Sequence, residues 1–450
     1  MFTSIKLINF KSFGEIYFDF KKNKKETKKF ISLYGENGSG KSNFVTGFEL
    51  LLHVLDSFSD YEMARQIRDD IDFNPKDKTK NFTKNFTLEY INNMILLNNM
   101  SEFLKSCRMI DCDEETTVEY GFMLNGIEGY YKISFKETIT FEELYYTVGS
   151  QRGKVFTIAL VDNKIHKYFS GSTFKNDAYK KEFEHEIDKY WGKHALLGIL
   201  NSQIEAKNKQ YIDESISKDF LDVFELFKKT KVFSNSYTGY INSNLLYTIP
   251  FSNGNIPIEI ESKLDLYENI LRDFFNQLYS DIQDVYYEKK KTKKTIDYQL
   301  HIKKMIAGQI RDISIDNESS GTKSVLEIFQ SLISAISGDV VIYDEIDDGI
   351  HDLLIKNIVS SLEKYITGQL IITTHNTLML ETIDHNSAYV IYVDSEGNKE
   401  ARCLADFRIK KTNNVRNLYL NGVFGGIPYS SEIDYSNIKT CINDIKEDND

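Results

Sequence analysis

Near the start of the chain, Gly35-Glu-Asn-Gly-Ser-Gly40-Lys41-Ser42 sets glycines, a lysine and a hydroxyl in the spacing GxxxxGK[ST]. Such a loop suits an anion. The glycines let backbone N–H groups converge on phosphate oxygens, the Lys41 ammonium can pair with β- and γ-phosphates, and the Ser42 hydroxyl can ligate Mg²⁺ at a helix N-terminus. The candidate cradle is Gly35, Asn37, Gly38, Ser39, Gly40, Lys41 and Ser42, with Asn43 just inside the following helix. An accidental glycine turn is the bland alternative, and the flanking elements argue against it. Phe30 to Tyr34 reads as a strand, whereas Phe44, Val45, Phe48, Leu51, Leu52 and Leu55 recur at helical spacing. Strand, glycine loop and helix in that order predict nucleotide binding.

Far downstream, Asp344-Glu345 closes the apolar run Val340 to Tyr343. Its carboxylates therefore emerge at the carboxyl end of a buried parallel strand, where open α/β sheets place ligands. There Asp344 would hold Mg²⁺ through water, and Glu345 is placed to activate an attacking water as general base. Alone, an Asp-Glu pair is an ordinary loop start. Together with the glycine loop and Lys41 it points to hydrolysis of a phosphate ester or anhydride.

These groups need a scaffold, and the periodicity supplies one. Ile5 to Phe10, Glu15 to Phe20 and Phe30 to Tyr34 read as strands, with Gly14 turn-like and Lys21 to Lys29 as a basic connection. From Thr117 to about Ser170 the pattern alternates (Val118, Tyr120, Phe122, Leu124), with Asn125-Gly126 as a hairpin turn. Helical spacing returns between Asp177 and Lys229 (Phe220, Val223, Phe224, Phe227) and at Leu264, Tyr267, Leu271, Phe274 and Leu278. Val285 to Ile302 reads as a hairpin with the lysine run Lys289 to Lys294 at its tip. Gly321 to Ser337 is an amphipathic helix stopped by Gly338, followed by the strand Val340 to Tyr343, a helix near Leu353 to Tyr365 and the strand Gln369 to Thr373. The expected fold class is α/β, a mixed sheet with an antiparallel β-lobe and a helical insertion. Its expected parts are 1–170, 171–300 and 301–450.

Composition narrows the setting. With 28 Tyr and 30 Phe against only 4 Pro, the chain carries too much packing surface for a disordered protein. Apolar runs such as Met94 to Leu97 fall well short of the ~18 residues a membrane helix needs, and the opening residues lack the apolar stretch of a secretory signal. A cytoplasmic protein without membrane association is expected. Cys107, Cys112, Cys403 and Cys441 are too few and too irregular for a disulfide framework or a zinc site. The formal net charge of -12 argues against a surface that coats nucleic acid. The Lys289 to Lys294 tip reads first as a solvated, edge-protecting hairpin, and second as a contact for a nucleic-acid backbone or an acidic partner.

The order of the motifs resembles an ABC-type ATPase head. Glu318-Ser319-Ser320-Gly321-Thr322, opening the amphipathic helix, resembles the ABC signature motif, although Ser320 stands where glycine is usual and Thr322 where glutamine is usual. Asp344-Glu345 resembles Walker B, and Thr373-Thr374-His375 the switch histidine. The opening Ile5-Lys-Leu-Ile-Asn-Phe-Lys-Ser-Phe-Gly-Glu15 is similar to the first strand of the SMC, RecF and OLD group rather than to transporter subunits. The nearest family is the AAA-type ABC ATPases of bacterial abortive infection and phage defence, including those of PARIS-like, Septu-like and OLD-like systems. The likeness covers about 1–60 and 305–430, including the tail Arg416 to Pro428; the central insertion has no counterpart.

The resemblance implies ATP and Mg²⁺ as cofactors and a head-to-tail dimer, extendable to a higher oligomer. ATP would lie between the glycine loop of one subunit and Ser319, Ser320 and Gly321 of the other, with His375 near the γ-phosphate. Gln66 and Gln151 are candidates for the glutamine loop of that family, and His351 is either a family histidine or an ordinary helix-start residue. Only 75 residues follow His375, little room for a Toprim nuclease in cis, and their closest acidic pair, Asp394 and Glu396, sits in a turn. The leading expectation is therefore a sensor or regulator in antiphage defence. A phage-derived trigger and a separate toxic effector, foremost a nuclease, would be its partners. The alternative is a RecF- or SMC-like DNA-repair ATPase that clamps DNA.

Overall fold

The computed structural model describes residues 1–72, 100–234, 249–410, 413–427 and 434–447. The run Met94 to Leu97 and Pro428 lie outside them. A six-stranded sheet divides the molecule: β5 (Phe30–Tyr34), β11 (Thr230–Phe233), β16 (Val340–Tyr343), β17 (Gln369–Thr373), β18 (Ala388–Val393) and β19 (Lys399–Cys403), in the order β11-β16-β17-β5-β18-β19. All neighbours are parallel except the antiparallel β18–β19 pair. Successive side chains of a strand point to opposite faces, and each face has its own core. Ile31, Leu33, Val340, Ile342 and Ile371 enter one core, whereas Phe30, Tyr34, Val341, Leu370 and Ile372 enter the other.

The first core is closed by a seven-stranded antiparallel sheet of β1 (Phe2–Phe10), β2 (Phe13–Asp19), β6 (Thr116–Leu124), β7 (Ile127–Phe135), β8 (Ile139–Val148), β9 (Gln151–Val161) and β10 (Lys164–Phe169). Their order is β10-β9-β8-β7-β6-β1-β2. Between the sheets runs α1 (Lys41–Asp72), so close to β1 that a Cβ on Gly47 would lie 3.1 Å from both Ile5 and Leu7. A short ribbon, β3 (Lys21–Asn23) with β4 (Glu26–Thr27), occupies the basic connection. The β1–β2 turn falls at Lys11-Ser12 rather than at Gly14, because Phe10 pairs with Phe13 and Lys11 takes up φ +50°. This one-turn difference carries Ser12 and Phe13 to the glycine loop. The small α2 (Met100–Cys107) buries Leu104 and Cys107 beside α1; Cys112 is only half-buried.

Residues 171–300 are not one body. The helices α3 (Asp177–Tyr190), α4 (Leu196–Ala206), α5 (Lys209–Ser215) and α6 (Lys218–Lys228) join the first core, and β11 becomes an edge strand of the central sheet. Gly198 of α4 meets α1 so closely that a Cβ there would lie 2.5 Å from the Val54 carbonyl oxygen. The N-terminus of α4 has no capping side chain of its own; buried Glu142 of β8 accepts from the Leu196 and Leu197 amides instead, at 2.8 and 3.4 Å. In the second core, α7 (Glu261–Leu278) packs with a sheet of β12 (Asn253–Pro257), β13 (Ile282–Lys291), β14 (Thr295–Ile306) and β15 (Gln309–Ser314). There too lie α8 (Ser320–Ile336) and α9 (Asp352–Leu362), with α10 (Val415–Leu420) near the end and α11 (Tyr435–Glu447) last. Val325, Leu326, Phe329 and Leu332 form the buried stripe of α8, each contributing about 1.5–3 kcal/mol of burial. The helix ends at Ile336, and Gly338 with φ +107° reverses the chain into β16. No helix of the described residues is long and apolar enough to cross a membrane.

Candidate active site

β5 runs directly into the glycine loop, and α1 begins at Lys41. Two positions in the loop require glycine, since Gly38 and Gly40 have φ +81° and +110°. Gly40 is doubly constrained: a Cβ would stand 2.5 Å from the Phe13 ring. Lys41 is buried, and its Nζ donates to the carbonyl oxygens of Gly35 and Glu36 at 2.9 and 3.2 Å. These are neutral loop acceptors rather than a carboxylate. Burial lowers the Lys41 pKa against the opposing pull of Glu345, Asp344, Asp347 and Glu36. A charge so placed gains from a polyanion. Within the same turn Ser39 Oγ is buried without a hydrogen-bond partner, while Ser42 stands exposed at the helix start. The orphaned hydroxyl, the turned glycines and the lysine suit phosphate oxygens.

The parallel register brings the acidic groups to the same edge. β17 lies between β5 and β16, so the ends of the glycine-loop, Asp344 and His375 strands are adjacent. Thr373, the last residue of β17, orients both carboxylate positions: its Oγ1 donates to Asp344 Oδ1 at 2.5 Å and accepts from Glu345 N at 2.8 Å. Glu345 itself has φ +53°, a left-handed conformation costly for a side chain with a Cβ and typical of functional turns. Asp347 accepts from the His375 amide at 3.2 Å, fixing where the chain leaves β17. His375 is exposed. Burial of part of its ring and the Lys41 charge lower its pKa, with Asp347, Glu345 and Asp344 pulling the other way. The neutral ring therefore prevails at neutral pH.

Lys41, Ser42, Asp344, Glu345 and His375 thus share one edge of the central sheet. Ser320 and Gly321 open α8 and Ser319 precedes them as its N-cap, with both serines exposed. Ser319 caps the helix, accepting from Thr322 N at 3.2 Å, and a Cβ on Gly321 would lie 3.2 Å from the Gly349 carbonyl. Behind the turn Glu318 pairs with Lys304 at 2.8 Å. Asn37 is exposed, and Asn43 turns to the β1–β2 hairpin, donating to Ser12 Oγ at 2.6 Å. Gln151 sits exposed at the β8–β9 hairpin, four strands from β1, and the Gln66 side chain lies outside the described residues. His351 is an N-cap for α9, accepting from Leu353 N at 3.2 Å. Asp394 closes its own turn by accepting from Glu396 N and Asn398 N at 2.9 and 2.8 Å. The roles of Thr373, Asp347 and Ser12 escaped the sequence reading. Thr373 sat within the Thr373-Thr374-His375 motif and Ser12 within the opening segment Ile5 to Glu15, whereas Asp347 belonged to no motif.

Residues 149–381 match the family described as AAA domain, putative AbiEii toxin, Type IV TA system. That is just over half of the chain. The chain belongs to this AAA-domain family. The matched span holds Ser319 to Gly321, Asp344, Glu345 and His375, and the glycine loop lies upstream of it. Membership agrees with the glycine loop, the parallel sheet and the acidic strand end. Among solved structures, the SMC head domain from Thermotoga maritima is 14% identical, with 89% of this chain and 98% of that chain covered and a TM-score of 0.36. An SMC head bound to the C-terminal winged-helix domain of ScpA is 12% identical over 90% and 99% of the two chains, with a TM-score of 0.45. A third, an SMC head with an extended coiled coil bound to the C-terminal domain of ScpA derived from Pyrococcus furiosus, is 12% identical over 89% and 95%, with a TM-score of 0.40. No curated protein matches the AAA-domain chain.

Proposed function

We propose that this AAA domain binds and hydrolyses ATP with Mg²⁺, and that hydrolysis regulates an antiphage response executed by a separate effector. The supporting observation is the strand-end cluster: Lys41 beside the glycine loop, and Asp344 and the strained Glu345 both held by Thr373. Ser42 and Asp344 would hold Mg²⁺, a cation that takes few protein ligands and completes its shell with phosphate and water oxygens. When bound it would supply positive charge against the phosphates. Lys41 neutralises phosphate charge, Glu345 takes the proton of the attacking water, and neutral His375 donates a hydrogen bond toward the terminal phosphate. Ser319, Ser320 and Gly321 of a second subunit would complete the site through a helix N-terminus, whose amides and dipole favour an anion.

The family description, a putative toxin of a type IV TA system, supports a growth-arresting defence role; in this reading the foremost effector is a separate nuclease. The lysine tip lends little to the DNA-clamp alternative, because Lys289 pairs with Asp265 at 2.6 Å and Lys291 with Glu261 at 2.7 Å. The test has two parts. Purified protein should release phosphate from ATP only with Mg²⁺, and Glu345→Gln should abolish the release; equal turnover in both would refute the catalytic assignment. Tagged Glu345→Gln with ATP, recovered from native host cells, should carry a stoichiometric toxic protein. Recovery of DNA alone would replace the defence reading with the clamp.

A further inference from the structure

One cation reaches the glycine loop from outside every motif. Lys399 opens β19, which is antiparallel to β18, itself the parallel neighbour of β5. Its Nζ donates to the Gly38 carbonyl oxygen at 2.9 Å and to Ser12 Oγ at 2.6 Å. Ser12 Oγ also accepts from Asn43 Nδ2 at 2.6 Å, so one hydroxyl ties the β1–β2 turn to the first turn of α1 and to β19. The same ammonium lies 5.5 Å from the centre of the Phe13 ring, whose edge occupies the space where Gly40 would have carried a Cβ. The contacts span sequence separations of 361 and 387 residues.

We propose that Lys399 is a positioning residue of the nucleotide site, holding the glycine loop in its phosphate-binding shape through the Gly38 carbonyl. This rests on the nucleotide reading of the loop. In a trans peptide the C=O and the next N–H point opposite ways. Pinning the Gly38 carbonyl outward therefore turns the Ser39 amide inward, where it donates to the Glu36 carbonyl at 3.1 Å and closes the turn. A loop with φ above +80° at two glycines has many competing shapes, and an external anchor removes them before ligand arrives. Half-burial of the ammonium lowers its pKa against the attraction of Glu36. A solvated carbonyl would need no such partner, since water satisfies it at no cost in lysine desolvation.

The experiment is calorimetric titration of the full chain with Mg·ATP and Mg·ADP, alongside steady-state hydrolysis. Lys399→Met keeps the hydrocarbon over Phe13 and loses the charged hydrogen bonds, and it should raise Kd for both nucleotides about tenfold. KM should rise with Kd while kcat changes much less, because the loop shape is needed equally in ground and transition states. Lys399→Arg should restore Kd to within about threefold, and Ser12→Ala, which leaves Lys399 in place, should raise it about threefold. An unchanged Kd in Lys399→Met overturns the proposal. So does an equal loss in the Met and Arg variants accompanied by a lowered melting temperature of the ligand-free protein, which marks a purely structural lysine. Should Lys399→Met fail to fold, Ser12→Ala and Lys399→Arg decide by the same criteria. Wild-type protein that binds no ATP, or Lys41→Ala that binds as well as wild type, rejects the nucleotide site itself; normal wild-type binding confines any failure to Lys399.

Discussion

The glycine loop and the Ser319–Gly321 turn both end at a helix N-terminus, and both are candidates for phosphate, but they are built differently. The loop before α1 uses positive φ at Gly38 and Gly40, a buried lysine and a hydroxyl without a partner. Strand ends bring Asp344, Glu345 and His375 to it within one chain. The turn before α8 has extended backbone at Glu318 and Ser319, no positive φ, and spends the Ser319 side chain on capping its own helix. Its Ser320 hydroxyl faces solvent, and Lys304 holds Glu318 from behind. A cradle that is complete in one chain supports binding. In the proposed head-to-tail dimer, a capped, outward-facing helix end would contribute when another molecule brings the anion to it.

Substitutions can break or sharpen this contrast. The largest effect should come from Glu345→Gln, which removes the base and lowers hydrolysis by about three orders of magnitude while ATP binding persists. Phosphate release near the wild-type rate would remove Glu345 from that role. Lys41→Ala should weaken ATP binding by two to three orders of magnitude even in a monomer, as truncating a buried charge partner costs roughly 2–5 kcal/mol. Binding within severalfold of wild type, measured by calorimetry, would dissolve the contrast.

The scaffold under the loop has its own signature. His53 of α1 stacks on Phe103 at 3.7 Å between ring centres, and burial lowers its pKa from 6.5 to about 4. The folded state thus holds fewer protons than the unfolded chain between these values, so stability is full above pH 6.5 and falls as the pH drops toward 4. The loss is roughly 3 kcal/mol from this ring. Urea unfolding of His53→Gln should show a correspondingly shallower acid slope than wild type; matching slopes would contradict the assignment.

Smaller changes probe the other half. Ser320→Asp suits the first turn of a helix but repels phosphate, so hydrolysis should fall about 30-fold while single-chain ATP binding stays unchanged. A loss of binding would mean that the turn acts within its own chain. Thr373→Val keeps the side-chain shape of β17 and deletes the hydroxyl shared by Asp344 and Glu345. Hydrolysis should drop about tenfold with little change in Kd. Equal losses in kcat and affinity would show that Thr373 shapes the loop as well as the carboxylates.

How much could be read in advance depends on how local the cause is. The alternation of β6 to β10 and the apolar stripe of α8 were legible because one face of each element is buried, which imposes period 2 or 3.6 on neighbouring residues. The glycine loop and Asp344-Glu345 were legible because phosphate chemistry demands particular residue types in sequence. By contrast, the β1–β2 turn at Lys11-Ser12 uses no glycine, so its pattern offers no signal. From Asp177 to Leu278 the pattern reads as helical, and only packing assigns α3 to α6 to one core, α7 to the other and β11 to the central sheet.

By itself the sequence determined the α/β alternation, the strand–loop–helix that presents Lys41 and Ser42, and the acidic end of β16, since each is set by short-range sterics, period and residue chemistry. The tertiary structure alone decided that β17 lies between β5 and β16, which lets Thr373 hold Asp344 and Glu345 beside Lys41. It alone also brought Lys399 to Gly38 across 361 residues. Strand order and long-range hydrogen bonds arise from how whole faces bury against each other, and no window of neighbouring residues contains that information.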